Sequence, residues 1–200
     1  MVETWIVKAV GNSPWLQHAL TLEAVERMQE RSNKTKPEAA VKDEEYYNQL
    51  ENEWRETCFF DEKIGFYVPD EYIEGNLKRA GTQIKLGRGS LKGSVLKGIV
   101  AMDKKNPVTL PSKYTGIKTK DDIEKAGLVI KHKVRVHGSP ASRKRVMLPD
   151  PWEFSFRLSV DEDVINKSNL EKILRKGGEI GFADWNPKYG TFDIISVKKG

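Results

Sequence analysis

The C-terminal end puts the tightest constraint on how this chain can fold. In "EFSFRLSV" the alternation sends Phe154, Phe156 and Leu158 to one side of a strand. Ser168 then caps a helix with Leu170, Ile173 and Leu174 on its inner stripe, and "FDIISV" reads as a terminal strand from Phe192 to Val197. Strand, helix and strand in that order make the second half of a ferredoxin-like unit. The helix and the last strand are joined by "GGEIGFADWNPKYGTF", Gly177 to Phe192. Its sixteen positions hold four glycines, one proline, four aromatics and one basic side chain, Lys188. A connection so rich in glycine serves either as a tight turn, with its rings padding a core, or as a place where another backbone comes close.

The rest of the chain supplies compatible elements. Thr4 to Val10 is β-branched and reads as a first strand. After the "GNSPW" turn, Ser13 is suited to cap a helix with Pro14 at its first position, and Leu16, Leu20, Ala24 and Met28 recur at helical spacing to about Glu30. Tyr46, Leu50 and Trp54 predict a second helix over 38–55, in an acidic stretch. "CFFDEKIGFYVP" predicts a hairpin. Asp70 then caps a helix with Ile73, Leu77 and Ala80 inward and Gly81 as its stop. "GTQIKLGRGS" reads as a glycine-rich basic loop, Gly93 to Met102 as strand, and Val129 to Val136 as the clearest strand of all. "SPASRKRVMLPDPW" reads as a basic loop. Helices interspersed with non-local strands predict an α+β class, with an antiparallel sheet covered on one face. The expected organisation is a single domain over 1–200 with a ferredoxin-like antiparallel core, an acidic helical insertion at 32–62 and a C-terminal Gly-rich loop.

Charge narrows the function. The net charge of +5 is modest, but its distribution is not. Six bases and no acid lie between Gly75 and Met102, and seven bases and no acid between Lys125 and Pro149, whereas Glu38 to Glu62 carries nine acids against Lys42 and Arg55. Acid-free basic tracts favour an anionic partner, and a single-stranded nucleic acid is the one expected. With 38% hydrophobic residues and no apolar window near the ~18 residues a membrane span needs, no membrane association is expected. No secretory leader pattern opens the sequence. Cys58 is the only cysteine, which fits a reducing, cytoplasmic location and excludes an internal disulfide or a cysteine-rich zinc site.

Four groups of residues carry the expected interface. In the C-terminal loop, Gly178, Gly181 and Gly190 are expected to leave backbone N–H groups bare for phosphate, while Phe182, Trp185 or Tyr189 stacks on bases beside Lys188. In "KLGRGSLKGS", Lys85, Arg88 and Lys92 track a phosphate backbone; Lys92 precedes Gly93 where a nucleotide-binding P-loop needs the lysine after the glycine, so no P-loop is expected. Lys131, Lys133 and Arg135 alternate along one strand. Arg143, Lys144 and Arg145 are either a phosphate clamp or a solvated loop. No cofactor or metal is expected, since the acids of "KDEEYY" diverge around a helix. His132 and His137 open an alternative, an endoribonuclease using one of them as general base. They lie five apart across a strand end and tend to face opposite sides. A third reading is a phage structural or host-defence-antagonist protein that binds a protein partner or self-assembles.

"GEIGFADWNPKYGTF" resembles the glycine-rich loop of the RAMP superfamily, the ferredoxin-like RNA-binding subunits of CRISPR effector complexes. Gly181, Trp185, Pro187, Gly190 and Phe192 match, and Asn186 stands where arginine is expected. "GRGSLKG" is similar to basic, glycine-rich segments that those proteins place near RNA. "GFYVPDEYIEGNLKRAG" together with the terminal loop also resembles phage-encoded proteins. The resemblance covers about a third of the chain and implies a RAMP-like core that binds RNA.

Overall fold

In β1 (Val2–Gly11), alternation buries Trp5, Val7 and Ala9 and leaves Ile6 and Lys8 exposed. β11 (Glu153–Asp161) alternates in the same way, with Phe154, Phe156, Leu158 and Val160 buried. The two strands pair antiparallel over nearly their full length, from Val2 with Asp161 to Val10 with Glu153. β12 (Phe192–Lys199) lies on the far side of β1, and β7 (Ile99–Ala101) on the far side of β11. Helix α1 (Asp70–Gln83) falls between β1 and β7, and α4 (Lys167–Ile180) between β11 and β12. The order β12–β1–β11–β7 with these two helices is a ferredoxin-like α+β core, as the C-terminal pattern predicts. The computed structural model describes residues 1–18, 52–136, 139–182 and 187–200, with residues 133–136 and 139–141 described by backbone alone.

Around this core, β3 (Phe60–Asp61) and β4 (Gly65–Pro69) form the expected hairpin, and β8 (Lys105–Thr109) ties it to β11. The ribbon of β9 (Val129–Val136) and β10 (Ser139–Leu148) stands apart, with β2 (Trp15–Leu16) added to β10. β5 (Lys85–Leu86) and β6 (Gly89–Ser90) make a small hairpin, followed by α2 (Lys92–Gly98); α3 (Lys120–Lys125) is short.

Several local expectations are corrected by tertiary contacts. Trp15 and Leu16 are strand, not the start of a helix, because pairing with Met147 and Leu148 buries both completely. The remainder of that helix and most of the 32–62 insertion lie outside the described residues; within 52–62 the chain forms a 3-10 turn at Glu53–Arg55 and β3. Gly81 does not stop α1. It sits inside the helix, where its missing Cβ lets Val95 and the Leu91 backbone approach. Residues 92–98 are helical before the short β7, and "SPASRKRVML" is strand, because β9 offers it a continuous ladder. Asn166, not Ser168, caps α4 by accepting from Asn169 N–H.

The two core helices cross at one buried polar point. Asn76, 1% exposed, donates through Nδ2 to the carbonyls of Gly177 and Gly181, at 2.9 Å each. At the residue after Gly177, a Cβ on Gly178 would run into the Phe192 carbonyl, so only glycine lets α4 lie this close to β12. Leaving a buried acceptor without its donor costs on the order of 1–3 kcal/mol. Asn76→Ala is expected to lower unfolding free energy by roughly that amount in urea titration; an unchanged midpoint would show that the clamp contributes nothing.

Candidate nucleic-acid interface

The Gly-rich loop is closed by the protein's own backbone. Gly181, at φ +78°, donates its N–H to Gly177 O at 2.9 Å, and Phe182 N–H reaches Gly190 O at 3.0 Å. Gly190 N–H goes to Pro14 O at 2.8 Å. Thr191 N–H donates to Ser13 Oγ at 2.9 Å, so Ser13 fastens the loop and caps no helix. The expectation that Gly181 and Gly190 present bare N–H groups is therefore corrected: their donors are used to fold the loop. Gly178 belongs to α4 and serves the close approach to Phe192. Phe182 is corrected as a stacking platform, since it is buried and stacks on Phe192 with centroids 4.7 Å apart. It joins Trp15, Trp152, Phe154 and Phe192 in an aromatic cluster beneath the loop. Trp185 and Asn186 lie outside the described residues.

The densest basic cluster is divided by the ribbon it lies in. Arg143 pairs with Glu53 at 3.0 Å, both side chains mostly buried, and Lys144 pairs with Glu124 at 3.5 Å. Arg145 is itself buried. A single clamp of Arg143, Lys144 and Arg145 is therefore corrected, because alternation and two acidic partners separate the three cations. Glu53 carried no sequence signal for this role: it stands ninety positions from Arg143. Lys131 is exposed on β9, and Lys133 and Arg135 are placed by backbone alone. Lys85, Arg88 and Lys92 are exposed on the β5–β6 hairpin and at the start of α2.

Register places Ile130, His132, Arg143 and Arg145 on one face of the ribbon, since His132 opposes Arg143 and Ile130 opposes Arg145. The Gly-rich loop brings Tyr189 and Lys188 to the same place. The Tyr189 ring meets the His132 imidazole edge-on at 6.4 Å, and Lys188 Nζ lies 5.1 Å over the Tyr189 ring. Burial, with Arg145 and Lys188 nearby, holds the His132 pKa below its ordinary value, so the ring is neutral at pH 7. A tyrosine, a neutral imidazole and two cations, from the two strands of the ribbon and the distant Gly-rich loop, thus share one patch. Such a patch can hold phosphate oxygens and present ring surface to a base.

Other chemistry finds less support. His137 lies outside the described residues. Burial pushes the Cys58 thiol up to about 11, so it is protonated at neutral pH and a poor nucleophile. Among the described residues no group of three or more His, Cys, Asp or Glu is placed to hold a metal ion, and no helix is long and apolar enough to cross a membrane.

No family model matches the chain, and no curated protein matches it in sequence. Among solved structures it is similar to a chain in a cryo-EM structure of the type III-B Cmr-beta bound to cognate target RNA, at 13% identity and a TM-score of 0.49. The match covers 99% of this chain and 60% of that one, so this chain spans less than two thirds of its length.

Two outcomes are expected here. Gly181→Ala forces a Cβ into a positive-φ residue and within 2.6 Å of Gly190 O. It should cost at least about 2 kcal/mol of stability by thermal or urea unfolding, whereas a ligand-contact glycine would lose binding alone. His132 binds its proton less readily when folded than when unfolded, so its contribution to stability is complete above the unfolded pKa, about 6.5, and is lost as pH falls below it. The melting temperature should drop between pH 7 and pH 5, and His132→Gln should flatten that slope; identical slopes would refute the assignment.

Proposed function

We propose that this protein holds a single-stranded nucleic acid, without cleaving it, where the β9–β10 ribbon meets the Gly-rich loop. The observation that carries the reading is the convergence of Lys188 and Tyr189 on His132 and Arg145. Lys188 supplies charge to phosphates there, and exposed Lys131, on the opposite face of the ribbon, meets the nucleic-acid strand where it passes around β9. Tyr189, half-buried, supplies a ring edge and face to a base, which needs no particular sequence. Lys85, Arg88 and Lys92 form a second exposed basic surface for the same strand. Arg143 and Lys144 act behind the surface, by fastening the ribbon to Glu53 and Glu124. The resemblance of the loop to the RAMP superfamily favours RNA over DNA. The domain is one α+β unit over 1–200 that carries the acidic segment 32–62 as an insertion.

Binding to single-stranded RNA should be steeply salt-dependent. If roughly four to six phosphates are neutralised, the log–log slope should lie near −3 to −4; a slope near zero in filter binding would remove the reading. Lys188→Ala should make the slope shallower by about one phosphate. Tyr189→Ala should weaken binding by roughly 1–3 kcal/mol, measured beside a melting curve, since the ring also touches the core.

A second reading rests on the neutral state of His132, which is the form a general base needs. Labelled RNA held with excess protein should stay intact. Discrete products that vanish in His132→Ala would replace the binding reading with an endoribonuclease.

A further inference from the structure

β12 is an outer strand of the large sheet: one edge pairs with β1, and no described strand pairs with the other. Long open edges usually carry a device against association, such as a bulge or lysines. β12 has both, but their arrangement favours pairing with itself. Asp193 opposes Val10, Ile194 opposes Ala9, Ser196 opposes Lys8 and Lys198 opposes Ile6, so Ile195 is an extra, bulged residue. Directly opposed residues of an antiparallel pair share a face. Val10, Lys8 and Ile6 lie on the face away from the helices, opposite to buried Trp5, Val7 and Ala9. Asp193, Ser196 and Lys198 therefore stand on the open face, and Ile194 and Val197 on the helix face. In a regular strand Asp193 and Lys198, five positions apart, would point to opposite faces. The bulge puts them on the same one.

That matters for a two-fold. If two copies of β12 pair antiparallel about an axis perpendicular to the sheet, opposed residues must share a face. With the axis between Ile195 and Ser196, Asp193 meets Lys198 of the second copy on the open face, and Ile194 meets Val197 of the second copy on the helix face. Moving the axis to Ile195 sets Asp193 against Val197, and moving it to Ser196 sets Ile194 against Lys198; both break the face match. Asp193, Ile195 and Lys198 are exposed, Ile195 at 61%. Asp193 uses one carboxylate oxygen to accept from Asn12 Nδ2. We infer that this chain forms a two-fold homodimer by continuing its sheet through β12, with paired Asp193–Lys198 contacts setting the register. Such an interface is isologous and closes on itself. It is independent of the nucleic-acid reading.

The test is sedimentation equilibrium of the full chain from roughly 1 to 200 µM, without nucleic acid, on wild type, Asp193→Lys, Lys198→Asp and the double charge exchange. Each single change sets like charges opposite each other twice per dimer and should weaken association by about tenfold or more. The double exchange should restore it. A wild type that stays monomeric throughout, singles that leave the dimer unchanged, or a double exchange that fails to recover it would each overturn the proposal. If a single variant melts early, hydrogen exchange on wild type decides. β12 amide protection that rises with concentration supports the dimer, and protection independent of concentration overturns it.

Discussion

Everything distinctive about this fold depends on how closely α4 can lie against its neighbours. Asn76 reaches from α1 to the carbonyls of Gly177 and Gly181, while Gly178 lets the Phe192 backbone come up against the same helix. A side chain at Gly178 would push β12 away from α4, and loss of the amide would take the donor from the Gly181 carbonyl and leave Gly177 O with the Gly181 N–H alone. Because this contact holds the end of α4, the Gly-rich loop starts from a fixed point and can close on Gly190, Pro14 and Ser13. The aromatic cluster of Trp15, Trp152, Phe154, Phe182 and Phe192 fills the space beneath it.

The candidate site follows from that closure. Lys188 and Tyr189 are delivered to the ribbon because the loop is clasped at both ends, not because its glycines touch a ligand. The fold also sorts the cations. Arg143 and Lys144 meet acids from the 3-10 turn and from α3, while Lys188, Lys131 and the β5–β6 lysine and arginine remain at the surface. Arg145, buried, acts on its surroundings through its charge, which helps keep His132 neutral. The charge available to a polyanion is thus less than the acid-free tracts imply, and is spread over separate surfaces.

Legibility in the sequence follows the range of the forces involved. β1, β11 and α4 were readable because their burial patterns repeat every two residues or every three to four, and β12 because its run is β-branched; both signals are local. β2 and β10 were not: Trp15–Leu16 becomes strand only through Met147 and Leu148, far along the chain, and the basic, proline-containing Ser139–Leu148 becomes strand only because β9 folds back beside it. The same holds for the site. Tyr189, Lys188 and His132 could each be named as candidates from residue type, but their meeting could not, and neither could the use of Arg143 by Glu53. The bulge at Ile195 left no mark in "FDIISV", which reads as a regular strand.

By itself the sequence determined the α+β class, the ferredoxin-like second half, the basic tracts and the place of a glycine-rich aromatic loop before the last strand, since each depends on periodicity, charge or composition within a few residues. Tertiary structure alone decided which glycines meet protein backbone, which cations meet acids, and which ring faces the ribbon. Those outcomes come from close packing and paired charges between segments remote in sequence, where what a residue does is set by what arrives next to it.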